Sequence, residues 1–236
     1  MKIKIFALYK LIFTVGTILL FVSSALADKS KIDYPSQEGN SWTYSDIKNN
    51  GHSEVTWRII GKEIIEGVET TKIERPKEYR FMAIDSEGLK EYKVEERKKA
   101  MYRIYNPPLL YLPNLEIGQS KEFLTTAIFY RANNKKIGEL TVRGKVCLES
   151  KEDVEVPAGL FKGCLKFFWS DNVKNDITGY YRHRNSIIWL AYGVGVVKKL
   201  CFSIEYEPES KKEETSFGLI ELKSAVIDGK KIGSNN

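Results

Sequence analysis

The residues in this chain best suited to chemistry form a basic and aromatic run, Tyr180-Tyr181-Arg182-His183-Arg184. In an extended strand, alternation puts Tyr180, Arg182 and Arg184 on one face and Tyr181 and His183 on the other. Guanidinium groups grip phosphate or carboxylate through a two-pronged fork, and a neighbouring tyrosine adds a stacking or lipid-facing surface. Arg182 and Arg184 are therefore the expected contacts for an anionic group on a glycan, a phospholipid head or an acidic partner. The outward face of an ordinary strand would carry the same residues. No catalytic constellation accompanies them. The two histidines, His52 and His183, are far apart in the chain, and Arg182 and Arg184 would repel a metal cation from His183, so no metal is expected. There is no G-x-S-x-G elbow, H-E-x-x-H or P-loop. Gly193-Val-Gly195 lacks the third glycine and the helix of a dinucleotide-binding turn and reads as a bend or bulge. Glu95-Glu96 and Glu213-Glu214 sit in charged runs that suit a solvated face. The expectation is a non-enzymatic protein without a cofactor.

Location comes from the N-terminus. Lys2, Lys4 and Lys10 accompany an apolar run, Leu11 to Val22, that ends in Ala25-Leu26-Ala27, the pattern of an export signal with a small-residue cleavage site. Cleavage after Ala27 would leave residues 28–236 as one β-rich domain, periplasmic or secreted, without a membrane span. The 37 Lys and Arg against 31 Asp and Glu give +6, and losing the three leader lysines brings this to +3. That charge is a weak footprint for nucleic acid, and none is expected as a partner.

Three cysteines follow the leader: Cys147, Cys164 and Cys201. In each local alternation the thiol falls out of phase with the apolar side chains, which places all three on outward faces. An odd count in an oxidising compartment predicts one bridge and one free thiol. Cys147 with Cys164 is the expected pair, with Cys201 left over or competing.

The elements that must position these groups are strands. Val55, Trp57 and Ile59 alternate with Glu54, Thr56 and Arg58; Leu200 to Tyr206 and Gly218 to Val226 behave similarly, and Lys121 to Arg131 is apolar enough for burial on both faces. Turn residues punctuate these runs at Asn49-Asn50-Gly51, Ser86-Glu87-Gly88, Asn133-Asn134 and Asp228-Gly229. Only Val94 to Met101 offers a modest helical candidate. The fold class is mainly β: one curved antiparallel sheet, a half-barrel or a lipocalin-like barrel, with little helix. Its concave face would pack Trp57, Leu140, Phe167, Trp169 and Phe202. Asn106-Pro-Pro-Leu-Leu-Tyr-Leu-Pro113 carries three prolines and reads as a loop, so Leu109, Leu110, Tyr111 and Leu112 become either a core plug or a lid over an apolar cavity. An echo links Gly39-Asn-Ser-Trp42 after Pro35 with Gly118-Gln-Ser-Lys121 after Pro113, and favours repeated β-meanders.

Three motifs, Gly39-Asn-Ser-Trp42-Thr-Tyr44, Val154-Glu-Val-Pro-Ala-Gly159-Leu-Phe161 and Trp189-Leu-Ala-Tyr-Gly193-Val-Gly195-Val-Val-Lys198, together resemble the TapB-like exported bacterial proteins of unknown function. The resemblance implies an architecture similar to the LolA/LolB half-barrels and carries over no catalytic residues. The combined expectation is an exported cell-envelope protein that binds an apolar or lipid-like ligand through Trp57, Trp169 and Leu109 to Leu112. The alternative is a structural or protein-interaction module whose partner is another envelope protein.

Overall fold

The alternating segments close on themselves. The computed structural model describes residues 31–175 and 178–233, so the leader and its cleavage site lie outside the described residues. The strands are β1 (Ser41–Lys48), β2 (Gly51–Ile65), β3 (Val68–Glu74), β4 (Glu78–Asp85), β5 (Gly88–Glu96), β6 (Met101–Pro113) and β7 (Ser120–Arg131). They continue as β8 (Lys136–Val156), β9 (Gly159–Lys174), β10 (Tyr181–Ala191), β11 (Gly195–Glu207), β12 (Lys212–Ile227) and β13 (Lys230–Ile232). Each strand pairs antiparallel with the next, and β1 also pairs with β12, which closes a 12-stranded barrel to which β13 adds a short strand. Closure removes the unpaired edges that an open sheet would leave. The described residues contain no helix.

Pairing follows the period-2 pattern. Trp57 and Ile59 are buried on β2 while Glu54 and Arg58 face water. Ion pairs such as Lys62–Glu69 (2.6 Å), Lys121–Glu87 (2.5 Å) and Lys223–Glu54 (2.5 Å) join exposed side chains outside. Exposed pairs of this kind add little stability each.

The three motifs meet at one end of the barrel. Trp42 Nε1 donates to the Val194 carbonyl (2.6 Å) and Tyr44 Oη to that of Val196 (2.8 Å), so the first motif is pinned to the third across the interior. Gly193 and Gly195 form the β10–β11 turn; a Cβ at Gly195, whose φ is +99°, would press on the Tyr34 ring at 3.2 Å. The Ala158 amide of the middle motif donates to Leu222 O (2.8 Å). The motifs therefore seal one end of the barrel.

The internal echo has a counterpart in the backbone. Gly39 N donates to Ile59 O and Ile59 N to Asn40 O; Gly118 N donates to Leu148 O and Leu148 N to Gln119 O. The same two-bond clasp opens β1 against β2 and β7 against β8, so the barrel is two six-stranded meanders joined end to end.

Several expectations are corrected. Residues 94–101 are the end of β5, a turn and the first residue of β6 rather than a helix, because Val94 to Glu96 pair with β4 on one side and β6 on the other. Lys121–Arg131 is strand β7, buried only at Thr125 and Ala127, with Leu124 exposed. Pro107, Pro108 and Pro113 lie within β6, not in a loop. There β6 pairs with β5 through Leu109, Leu110, Leu112 and Pro113, while its pairing with β7 stops at Asn106. A strand with one free side does not need every N–H, so proline is tolerated. Leu109 to Leu112 are all buried, which makes the segment barrel wall rather than lid. Phe202 is 41% exposed, because the register shift at Trp189/Leu190 reverses the phase of β11 and turns Lys199 and Cys201 inward instead.

The expected Cys147–Cys164 bridge is absent, and all three cysteines are free. Cys147 faces Phe168 across β8 and β9, whereas Cys164 faces Glu152, five residues further along β8. That offset is ~16 Å at ~3.3 Å per residue, far beyond the ~7 Å limit for a bridge. Bulges at Leu148/Ser150 and Glu152/Val154 also break the phase of β9, so Cys164 enters the core instead of facing outward. Burial pushes its thiol up to about 11.

A candidate anion site inside the barrel

The same alternation that buries aromatic rings at the sealed end carries charged side chains inward on β4, β5, β6, β10 and β11. They line an interior cavity of about 250 Å³ with Arg80, Glu91, Arg103, Arg182, Arg184 and Lys199. Five cations and one carboxylate thus share a space equal to ~8 water molecules in the liquid. Between the charged strands β6 and β10 the lining is apolar, built from Ala127 and Phe129 on β7, Leu140 and Val142 on β8 and Val173 on β9, with Leu109 on β6. Trp169 and the rings of Tyr105, Tyr111 and Tyr180 complete the lining.

Each arginine is held in place. Asp171, 1% exposed, lies directly across from Arg184 in the β9–β10 register. It accepts from Arg184 Nε (3.2 Å) and Nη2 (3.1 Å) and from Arg182 Nη2 (3.1 Å). Arg184 also lies over the Trp169 ring at 4.7 Å. That ring packs on Phe123 at 5.4 Å, and Phe123 occupies the space where Gly144, opposite it in the register, lacks a side chain. Arg80 donates to Glu78 (2.6 Å) and Glu91 (2.7 Å), and Arg103 donates to the Tyr105 hydroxyl (2.9 Å).

Two polar groups on this lining have no hydrogen-bond partner among the described residues, Arg182 Nε and Trp169 Nε1. Both are donors, and Trp169 is only 2% exposed. A buried donor left unmet costs ~1–3 kcal/mol, which an acceptor brought by a ligand would relieve. Electrostatics agree with that polarity. Burial alone would raise the Tyr111 phenol, yet Lys199, Arg75 and Arg80 outweigh it and hold the group below its ordinary value. By contrast, Tyr105 is raised by burial against the opposing pull of Arg103. Burial likewise works against the Glu78 carboxylate, but Arg80 and Arg75 bring it down to about 2. The interior is positive near Tyr111 and set up to receive negative charge.

Of the residues singled out from sequence, Leu109, Tyr111, Trp169, Arg182 and Arg184 converge on this cavity. Leu110 and Leu112 are buried but do not line it, and Trp57 lines a separate groove. Arg80, Glu91, Arg103, Tyr105, Asp171 and Lys199 went unrecognised. Asp171 could have been found: it shares the phase of Phe167, Trp169 and Val173, and an acid inside an apolar phase calls for a buried cation.

No protein-family model matches the chain, and no curated protein matches it in sequence. Three solved structures are similar in fold. A Bacteroides fragilis protein inferred to be exported, with a YmcC-like fold, is 16% identical with a TM-score of 0.45, covering 82% of this chain and 99% of that one. A protein of Parabacteroides distasonis inferred to be a lipoprotein is 13% identical, TM-score 0.42, over 80% and 97% of the two chains. The hypothetical lipoprotein YmcC from Escherichia coli is 10% identical, TM-score 0.39, over 81% and 89%. Likeness this distant carries no functional argument.

Proposed function

We propose that this protein is a non-enzymatic binding protein of the cell envelope, and that its barrel holds a compact anionic ligand with an apolar portion. The observation that carries the reading is the pairing of unmet donors, Arg182 Nε and Trp169 Nε1, with a cluster of cations around one small cavity, among which Lys199 has no ion-pair partner among the described residues, and with the apolar side chains of β7, β8 and β9 beside them. An anion satisfies the donors and offsets the charge; the apolar portion fills the side lined by Leu140 and Val142. The cavity volume favours a single short chain or ring over a diacyl lipid. The N-terminal leader and the resemblance to TapB-like exported proteins support a periplasmic or secreted location.

The test is calorimetric titration of the mature protein with decanoate and, in parallel, with decanol, which has the same chain and no charge. Decanoate should bind with one site per chain and weaken with added salt; decanol should bind at least tenfold less tightly, a difference of ~1.4 kcal/mol. Replacing Arg182 and Arg184 by Gln should remove the preference. Equal binding of the two probes would reject anion recognition and leave an apolar-ligand site, and no binding of either would leave the interaction-module reading in place.

A further inference from the structure

On the other side of Lys199 lies a second opening. A groove of about 570 Å³ is lined by Trp57, Arg75, Lys199, Cys201, Phe217 and Ile220, and its rim is the exposed turn from Lys48 to Asn50. Lys199 lines both this groove and the interior cavity. Its ammonium has no ion-pair partner among the described residues and stands 5.7 Å from the Tyr111 ring, which faces the cavity. Arg75 stacks its guanidinium on Trp57 at 3.7 Å and leaves Nε without a partner. The acids in the groove are already engaged: Asp46 pairs with Lys48, and Glu214 with Lys212. The uncompensated charge of the groove is therefore cationic, and it leads from Trp57 and Arg75 through Lys199 to Tyr111 and Arg80.

We propose that this groove is the portal and outer sub-site of the interior cavity, where Arg75 and Lys199 receive the anion before it passes to Arg182 and Arg184. The inference rests on the anion-binding reading of the cavity, and it assigns a route and two residues that the cavity alone does not. A guanidinium stacked on an aromatic ring takes an oxyanion at little entropic cost, since its plane is already fixed. Lys199 has a flexible stem and can follow the anion inward. Focusing of this kind raises the entry rate of anions over neutral molecules of the same size.

Cys201 reports on the groove directly. In a Cys147→Ser background the other remaining thiol, Cys164, is buried and held protonated, so thiol–disulfide exchange at neutral pH reads Cys201 alone. The experiment compares its rate with the dianionic disulfide dithiobis(nitrobenzoate) and with neutral dithiodipyridine. Any change in thiol acidity or exposure affects both reagents and cancels in their ratio. Lys199→Met should lower the anionic-to-neutral ratio about tenfold, Lys199→Arg should retain it, and saturating anilinonaphthalene sulfonate should protect Cys201 in the parent. Should Lys199→Met misfold by circular dichroism, Arg75→Gln provides the same comparison. A ratio unchanged in a folded variant overturns the portal. Failure of the cavity reading shows separately, as lost calorimetric binding in a protein whose ratio still depends on Lys199.

Discussion

Asp171→Asn tests the framework of the site most sharply. The wild-type carboxylate is 1% exposed and accepts three hydrogen bonds from two arginines, whose own side chains are 28% and 26% exposed. The amide keeps the shape but loses the charge, and its nitrogen turns a donor toward a guanidinium that can only donate. Removing one partner from a buried ion pair costs ~3–5 kcal/mol. Partial exposure of the arginines puts this case at the lower end, ~3 kcal/mol, or ~6–12 °C in a chain of this length. Thermal unfolding followed by circular dichroism measures it. The variant should recover more stability than wild type when decanoate is added, because the freed arginines offer the anion a stronger field. Adding Arg182→Gln and Arg184→Gln to Asp171→Asn should return much of the loss, since the two guanidinium charges that Asp171 balanced are removed with it. A variant that melts within ~1 °C of wild type would refute the claim that Asp171 neutralises and orients the two arginines.

Tyr111 should ionise below the other buried tyrosines in an ultraviolet titration, and Lys199→Met should move it up, because Lys199 is the leading cation opposing its burial; no movement would contradict the assigned field. Glu78 sits near 4.5 when unfolded and about 2 when folded, so its contribution is fully present above the unfolded value and drains away as pH falls from about 4.5 to 2. Acid denaturation should steepen in that window, and Glu78→Gln should flatten it. Gly144→Ala places a Cβ 2.2 Å from Phe123 Cζ and 2.3 Å from the Ser170 carbonyl, so it should cost ~1–3 kcal/mol and change the near-ultraviolet signal of Trp169; a silent substitution would show the Phe123–Trp169 stack to be dispensable.

Much of the barrel was legible because strand and turn grammar is local. Val55-Thr56-Trp57 and the Asn49-Asn50-Gly51 turn declare a hairpin without any distant partner. Closure was not legible, since nothing local announces that Ser41 to Lys48 will pair with Gly218 to Val226. Bulges explain most of the misplacements. One register shift in β10 and β11 turned Phe202 out and Lys199 in, and two in β8 and β9 moved Cys164 into the core. The proline-rich segment misled because a proline forbids a ladder bond only on the side where one is needed, and β6 has no neighbour there. Arg182 and Arg184 were found because they alternate with Tyr180. Arg80 was not, because on β4 the aromatic Phe81 packs in a separate small cluster with Ile65 and Tyr92 while the arginine faces the cavity, the reverse of the usual pattern.

The central claim is that the barrel interior receives an anion, and anomalous X-ray scattering from crystals soaked in 4-bromobenzoate locates one without presupposition. The account predicts a single bromine peak inside the barrel beside Leu140 and Val142, with carboxylate density within hydrogen-bonding reach of Arg182 Nε and Trp169 Nε1. Bromine found only on the outer surface, with the cavity between Trp169 and Arg103 filled by water, would contradict it.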